Sequence, residues 1–257
     1  MVVTVDVGNT NITFGMFEGD KVVGNYRMNS QVDRTSDEYG ILIQGFMEDA
    51  GYEVKDVEDV VIASVVPNMM YSFTNAVKKY LHVTPIVVGP GTKTGIKIGA
   101  ENPKEVGADI IVDAVAAKEI YGGPIIVIDF GTATTYQLIL EDGTLNSVVI
   151  CPGLRVGAEA IYNRAAKLPN IEIVKPKTIL AKETTACIQA GVYYGAIGQT
   201  EYIVKKIKEE AGLKDVKVVA TGGLGRMISE ATDVIDEYDI LLTLHGLRFI
   251  RNKYRGI

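Results

Sequence analysis

Twice in its 257 residues the chain writes the same short phrase: an apolar strand, an aspartate, one apolar residue, a glycine, a hydroxyl-rich turn and a second strand. The first copy reads Val3-Thr4-Val5-Asp6-Val7-Gly8-Asn9-Thr10-Asn11-Ile12-Thr13-Phe14. Set beneath it without a gap is Ile126-Val127-Ile128-Asp129-Phe130-Gly131-Thr132-Ala133-Thr134-Thr135-Tyr136-Gln137. Each copy is followed by a turn, Glu18-Gly19-Asp20 or Glu141-Asp142-Gly143, and then by a third apolar strand, 22–28 or 145–150. A single Asp-x-Gly is weak evidence, because both residues favour tight turns for conformational reasons alone. Twice and in register, it predicts a duplicated architecture and ranks a pair of unrelated hairpins second. The expectation is an α/β chain of two domains, 1–118 and 119–257.

The segments between and after the copies alternate in type. A helical pattern covers 34–50, with Ser36 or Asp37 as its cap, and 60–66 is a continuous apolar run suited to a buried strand that Pro67 ends. A second helix is expected over 69–81 and a short strand over 85–88, before a glycine-rich stretch at 89–99. Pro103 can open a helix that runs to about Glu119, apolar around its circumference and so expected to lie buried between the domains. Helical stretches follow at 157–167 and 182–210, then a strand at 216–220, the turn Thr221-Gly222-Gly223, a helix over 227–235 and a C-terminal helix that is apolar, then basic.

Composition narrows the classes. With 47% hydrophobic and 23% charged residues the chain can bury a real core. A net charge of -6, with no cluster of Lys and Arg, argues against a nucleic-acid groove. No apolar run approaches the ~18 to 20 residues that span a bilayer, so no membrane segment is expected. Met1 runs directly into the strand at 2–7, which gives no expectation of a secretory leader, and Cys151 and Cys187 are the only cysteines. A reducing cytoplasm is the simplest home. His82 and His245 lie far apart with no Cys or His partner nearby, which leaves little material for a zinc site or a Ser-His-Asp apparatus.

The duplicated turns suggest a chemistry. A glycine at a strand end lets backbone N–H groups approach an anion without a Cβ in the way, and hydroxyls add donors. Gly8, Asn9, Thr10 and Thr13 fit a phosphate cradle, and Asp6 sits where it could hold Mg2+ directly or through water. Asp129, Gly131 and Thr132 would face it from the second domain, with the phosphates of ATP in the cleft between. Thr221-Gly222-Gly223-Leu224-Gly225 follows a strand and precedes a helix, a place where a flat base could lie against bare backbone. A plain turn is the common alternative there. No G-x-x-x-x-G-K-[ST] loop occurs, and Asp129-Phe130-Gly131 lacks the His-Arg-Asp loop that would make it a protein-kinase metal tripeptide. Asp109 falls in the first turns of the apolar helix, where burial would raise its pKa and the helix N-terminus would lower it. It could take the proton of an attacking alcohol, or be no more than a first-turn helix charge.

The wording goes further than the pattern. Asp6-Val7-Gly8-Asn9-Thr10, Arg34-Thr35-Ser36-Asp37-Glu38, Ser64-Val65-Val66-Pro67, Asn102-Pro103-Lys104-Glu105-Val106-Gly107-Ala108-Asp109, Asp129-Phe130-Gly131-Thr132-Ala133-Thr134-Thr135 and Thr221-Gly222-Gly223 resemble, in order, the motif series of the type III pantothenate kinases. That family lies within the actin, Hsp70 and sugar-kinase superfamily. The resemblance implies two duplicated actin-like, ribonuclease H-like ATPase domains with a nucleotide cleft between them. It implies ATP-dependent phosphorylation of pantothenate to 4'-phosphopantothenate, the first step of coenzyme A synthesis, by a homodimer that uses Mg2+ and a monovalent cation, K+ or NH4+.

Carried over by position, Asp6, Val7, Gly8, Asn9, Thr10, Asn11, Ile12, Thr13 and Thr132 would bind the ATP phosphates, and Gly222 and Gly223 would sit by the adenosine. Asp109 would be the base and Asp129 would hold the monovalent cation, while Gly107, Ala108, Asp109, Ile110 and Thr184 would contact pantothenate. Ile110 stands where the family usually has Arg, and Ala100 where it usually has Tyr. Both positions serve the acceptor, and a missing guanidinium forfeits a charge-assisted bond worth roughly 1.5 to 3 kcal/mol. Two other readings stay open: a kinase of another small alcohol, and an ATP-binding regulatory protein on the same fold.

Overall fold

The computed structural model describes residues 1–30, 33–165 and 167–257. Gln31, Val32 and Ala166 lie outside the described residues, the last of them at the end of the helix expected over 157–167. The chain forms two compact units, one of Met1–Ile96, Glu101–Glu119 and Leu242–Ile257, the other of Lys97–Ala100 and Ile120–Leu241.

The first unit is built on a five-stranded sheet in the order β3 (Lys21–Asn29), β2 (Asn11–Glu18), β1 (Val2–Val7), β4 (Asp59–Ser64), β5 (Ile86–Val87). The β1–β2–β3 meander is antiparallel, and β4 and β5 join it in parallel. Strands covered on both faces need apolar side chains at nearly every position, which is how β1 and β4 read. Val3, Val5, Val7, Val60 and Ile62 face helices α1 (Ser36–Asp49) and α2 (Pro67–Tyr80), where Phe14, Tyr39 and Phe73 complete the core. The cap of α1 is Thr35, one residue before the expected Ser36, because Glu38 answers it. Thr35 Oγ1 accepts from the Glu38 N–H, and the Thr35 N–H donates back to Glu38 Oε2 at 2.7 Å. Pro67 ends the strand and also occupies the first turn of α2, where a missing N–H costs nothing.

The other face of this sheet carries helix α7 (Leu242–Arg255), the C-terminal segment. Buried Asp59 calls it back, since a carboxylate 4% exposed needs paired cations, and Arg251 supplies an Nε bond at 2.6 Å with Arg255 beside it. Helix α3 (Ala108–Tyr121) packs on α7, with Gly246 against the Val112 carbonyl and Thr243 donating to buried Asp113 at 2.6 Å. Pro103 opens only a 3-10 turn, Pro103–Glu105, and Val106 is extended, so α3 starts five residues later than its proline suggests.

The second unit holds the order β11 (Glu237–Tyr238), β10 (Lys217–Thr221), β7 (Ile125–Phe130), β8 (Ala133–Ile139), β9 (Thr144–Pro152), β6 (Lys97–Ile98). Without β6, both order and strand directions repeat those of the first sheet. Even the irregularities recur, with a bulge between Met16 and Phe17 in one and between Leu138 and Ile139 in the other. The register corrects the ungapped match of the two phrases. Asp6 pairs with Thr13, whereas Asp129 pairs with Thr135, so the second turn is one residue shorter and Thr135, not Tyr136, is the counterpart of Thr13. Side chains alternate faces along a strand, so a one-residue slip is decisive. Tyr136 faces the core, packed with Ile128, Leu138 and Val218, and its hydroxyl shares a 3.1 Å hydrogen bond with Thr200 on helix α5 (Thr184–Ala211). Helices α4 (Leu154–Arg164) and α6 (Gly225–Ser229) complete the unit, the latter shorter than the expected 227–235. Among the described residues no helix is long and apolar enough to cross a membrane.

Candidate active site

In the first unit the chain leaves β1 after Val7 and enters β2 at Asn11, with Asp6 paired to Thr13 across the two strands. The Gly8 N–H donates to the Asn11 carbonyl at 3.0 Å, closing the turn, and Ser30 braces it with an Oγ bond to Gly8 O at 2.6 Å and an N–H bond to Thr10 O at 3.0 Å. Asn9 and Thr10 are exposed, and Gly8, Asn11, Asp6 and Thr13 are half-buried. Val7 and Ile12 are fully buried members of the core, so they can meet a ligand only through their backbone. A Cβ on Gly8 would come 3.1 Å from the Asn11 carbonyl, which explains why the turn opens with glycine.

Asp109 lies on the same edge of this unit. The Val65 N–H donates to Val7 O at 3.1 Å, carrying the β1–β4 pairing one step past the strands, and the Cβ that Gly107 lacks would sit 3.8 Å from Val65 Cγ1. The first turn of α3 therefore begins beside the strand ends that present the glycine turn. Asp109 Oδ1 accepts from the Ile110 N–H at 2.9 Å and occupies the space a Gly107 side chain would take. Burial pushes the Asp109 pKa up, outweighing the backbone N–H groups of Ile110 and of Asp109 itself that pull it down. That settles the direction the sequence left open. Gly107 and Ala108 are half-buried, and Ile110 is buried, with its N–H committed to the carboxylate.

The second turn is tighter. Gly131 N–H donates to Ala133 O at 3.1 Å, and the exposed Thr132 uses its carbonyl to accept the Gly153 N–H at 3.1 Å. Asp129 pairs in register with Thr135 on one side and Thr221 on the other. Its carboxylate is flanked by two bare Cα atoms: a Cβ on Gly131 would lie 3.1 Å from Oδ2, and one on Gly222 would lie 2.5 Å from Oδ1. Gly222 also has φ +89°, the left-handed region glycine tolerates, and its carbonyl accepts from the Tyr238 hydroxyl at 2.9 Å. Gly223 borders a cavity of about 280 Å3 with Tyr193, Leu224, Met227, Lys175 and Arg226. Thr184 is exposed at the first position of α5, behind a Glu183 cap that accepts from Thr185 and Ala186 N–H groups at 3.0 Å. It belongs to the second unit, whereas Gly107 to Ile110 belong to the first.

Reasoning from the sequence missed Gly153 and Tyr238. Gly153 stands against the Gly131 and Thr132 carbonyls where no side chain fits, and its only signal is a Pro-Gly step before a helix. His82 is an exposed turn residue and His245 packs against Phe17, ring centroids 5.3 Å apart. Among the described residues no three acidic, His or Cys side chains gather to cage a metal. A site with one acidic residue such as Asp6 still fits Mg2+, which protein sites hold through one or two carboxylates with substrate phosphates supplying the rest. The Asp129 carboxylate, walled by the bare Cα atoms of Gly131 and Gly222, supplies oxygen donors of the kind a monovalent cation takes.

Comparison with known proteins places the chain. A family model described as type III pantothenate kinase matches residues 2–206. The chain is 52% identical over 253 residues to a type III pantothenate kinase of Agathobacter rectalis, covering 98% of this chain and 97% of that one. Among solved structures, a Campylobacter jejuni protein described as a Baf-family transcriptional activator aligns over 99% of this chain and 100% of its own, with a TM-score of 0.59 at 19% identity. A Sinorhizobium meliloti protein described as a 2-dehydro-3-deoxygalactonokinase aligns over 100% of both chains, with a TM-score of 0.59 at 11% identity. At such identities these two speak for the fold, which is that of the actin-like ATPases and sugar kinases.

Proposed function

The chain belongs to the type III pantothenate kinase family, and on that premise we propose how its residues divide the ATP-dependent phosphorylation of pantothenate in coenzyme A biosynthesis. Asp109 takes the proton of the attacking 4'-hydroxyl. The observation that carries this role is its setting: a carboxylate whose pKa burial raises, on the strand edge that also presents the Gly8 turn. A base of raised pKa holds the alcohol proton better, and in a largely dissociative phosphoryl transfer its main work is to position the hydroxyl.

Gly8, Asn9, Thr10, Asn11 and Thr13, with the backbone of Val7 and Ile12, hold ATP phosphates through N–H groups and hydroxyls, and Thr132 adds a hydroxyl from the second turn. Asp6 would hold Mg2+ directly or through a bridging water, and Asp129 would hold K+ or NH4+. Bound cations would neutralise charge on the transferred group. Gly222 and Gly223 receive the adenosine, and the apolar lining of the neighbouring cavity, from Tyr193, Leu224 and Met227, favours a flat base there. Gly107, Ala108, Ile110 and Thr184 are assigned to pantothenate.

We place the enzyme in the cytoplasm, where its two free thiols, Cys151 and Cys187, are stable. Its net charge of -6 supports the reading that it takes no nucleic acid. The homodimer is supported by an exposed face of α5 on which Gly191, Gly195 and Gly198 have open space above them, and by exposed apolar side chains at Ile179, Leu180, Tyr202 and Ile150. The test is ADP release with Mg-ATP and K+, with and without pantothenate. Turnover that requires pantothenate supports the assignment; turnover only with another alcohol would move the acceptor, at the positions where Ile110 and Ala100 depart from the family.

A further inference from the structure

The second unit holds two neighbouring cavities, of about 280 and 360 Å3. Gly223, Leu224, Met227 and Tyr193 line the smaller, Tyr238 lines the larger, and Arg226 lines both. The Arg226 guanidinium carbon lies 5.4 Å over the Tyr238 ring centroid. Among the described residues it has no ion pair, although the side chain is exposed at the start of α6. A guanidinium is flat and weakly hydrated, so with one face on a phenol ring its other face can take a second π system.

Tyr238 is fixed for that task. Its ring edge lies where a Cβ on Gly225 would come 2.8 Å from Cε2, and its hydroxyl donates to Gly222 O at 2.9 Å. One side chain thus holds both the glycine turn at the edge of the smaller cavity and the guanidinium beside it. We propose that Arg226, seated on Tyr238, stacks on the purine of the bound nucleotide in the cavity beside Gly223, with Tyr238 as the positioning residue. This rests on the adenosine reading given above.

Equilibrium binding of ADP and of tripolyphosphate, which has no base, to the full chain tests the proposal. Arg226→Ala is expected to weaken ADP about tenfold, the scale of losing one base-stacking partner, with no matching loss for tripolyphosphate. Arg226→Lys, which keeps the charge but not the flat face, falls with the alanine variant. Tyr238→Phe keeps the ring and loses less ADP affinity than Tyr238→Ala. Wild-type ADP affinity in Arg226→Ala, rescue by lysine, or an equal loss of tripolyphosphate would each overturn the stacking role. Gly223→Val separates the two readings. If it abolishes ADP binding while Arg226→Ala does not weaken it, the stacking role alone fails; if both variants bind ADP like wild type, the adenosine reading fails with it.

Discussion

The first glycine turn spans residues 8–11 and is braced by Ser30 from the neighbouring strand; the second spans 131–133 and is enclosed by Gly153 and Gly222, brought from distant parts of the sequence. The strand beside each turn differs in the same sense. Past β4 the Val65 N–H still pairs with Val7 O and Val65 receives the helix that carries Asp109, whereas past β10 Gly222 breaks at φ +89° and Gly223 borders a cavity. One local shape therefore occurs in two forms. A longer, open turn with exposed Asn9 and Thr10 suits a mobile phosphate chain, and a short walled turn suits a carboxylate that must stay in one place.

The sharpest way to break this comparison is at the residue only the first unit possesses. Asp109→Asn is expected to lower kcat by at least ~100-fold, read by ADP release under saturating substrates. In the wild type kcat should fall on the acid side at a pH above the ordinary aspartate range of about 3.9. The stability sign runs the other way. A folded-state pKa raised above the unfolded value adds stability in acid that is lost as pH rises through the folded pKa. Asp109→Asn should therefore unfold at a higher temperature than the wild type at neutral pH, with the gap closing in acid; an equal gap at every pH would refute the burial argument.

Next in size is the contrast between glycines. Gly222→Ala forces a side chain into the left-handed region and onto Asp129 Oδ1, and should cost about 2 to 4 kcal/mol in denaturant unfolding. Gly8→Ala meets only the Asn11 carbonyl and should cost about 1 kcal/mol or less. Equal losses would mean that the second turn is no more tightly walled than the first. The one-residue gap is tested by a smaller pair. Tyr136→Phe should cost about 1 kcal/mol of stability through its lost bond to Thr200 and leave the KM for ATP alone, while Thr13→Ala should raise that KM. The smallest effect belongs to the strand the first sheet lacks. The exposed Lys97–Asp142 pair, 3.2 Å apart, should contribute little, so Lys97→Ala is expected to unfold at the wild-type denaturant midpoint.

Much of the fold was legible because its signals are local. The Asp-x-Gly phrase, the apolar strands and the existence of α3, though not its start, each announce themselves within a dozen residues. The gap between the copies was not legible, because Asp and Gly align equally well either way and only strand pairing shows that Thr135 faces where Thr13 does. Thr35 was hidden behind two equally good caps until Glu38 was seen to bond it. The pKa direction of Asp109 sets burial against a helix N-terminus, and the degree of burial is not a property of a linear string.

By itself, the sequence determined the duplicated α/β plan, the glycine turns and the family, because backbone preference and side-chain period act over short distances. Only the tertiary structure decided that α7 returns to the first unit, that Gly153 and Gly222 close around the second turn, and that Arg226 rests on Tyr238. The first two join residues far apart in the chain, and the third joins α6 to β11. Such contacts follow from which buried charge needs a partner and which backbone can approach without a Cβ, and neither is settled until the chain has folded.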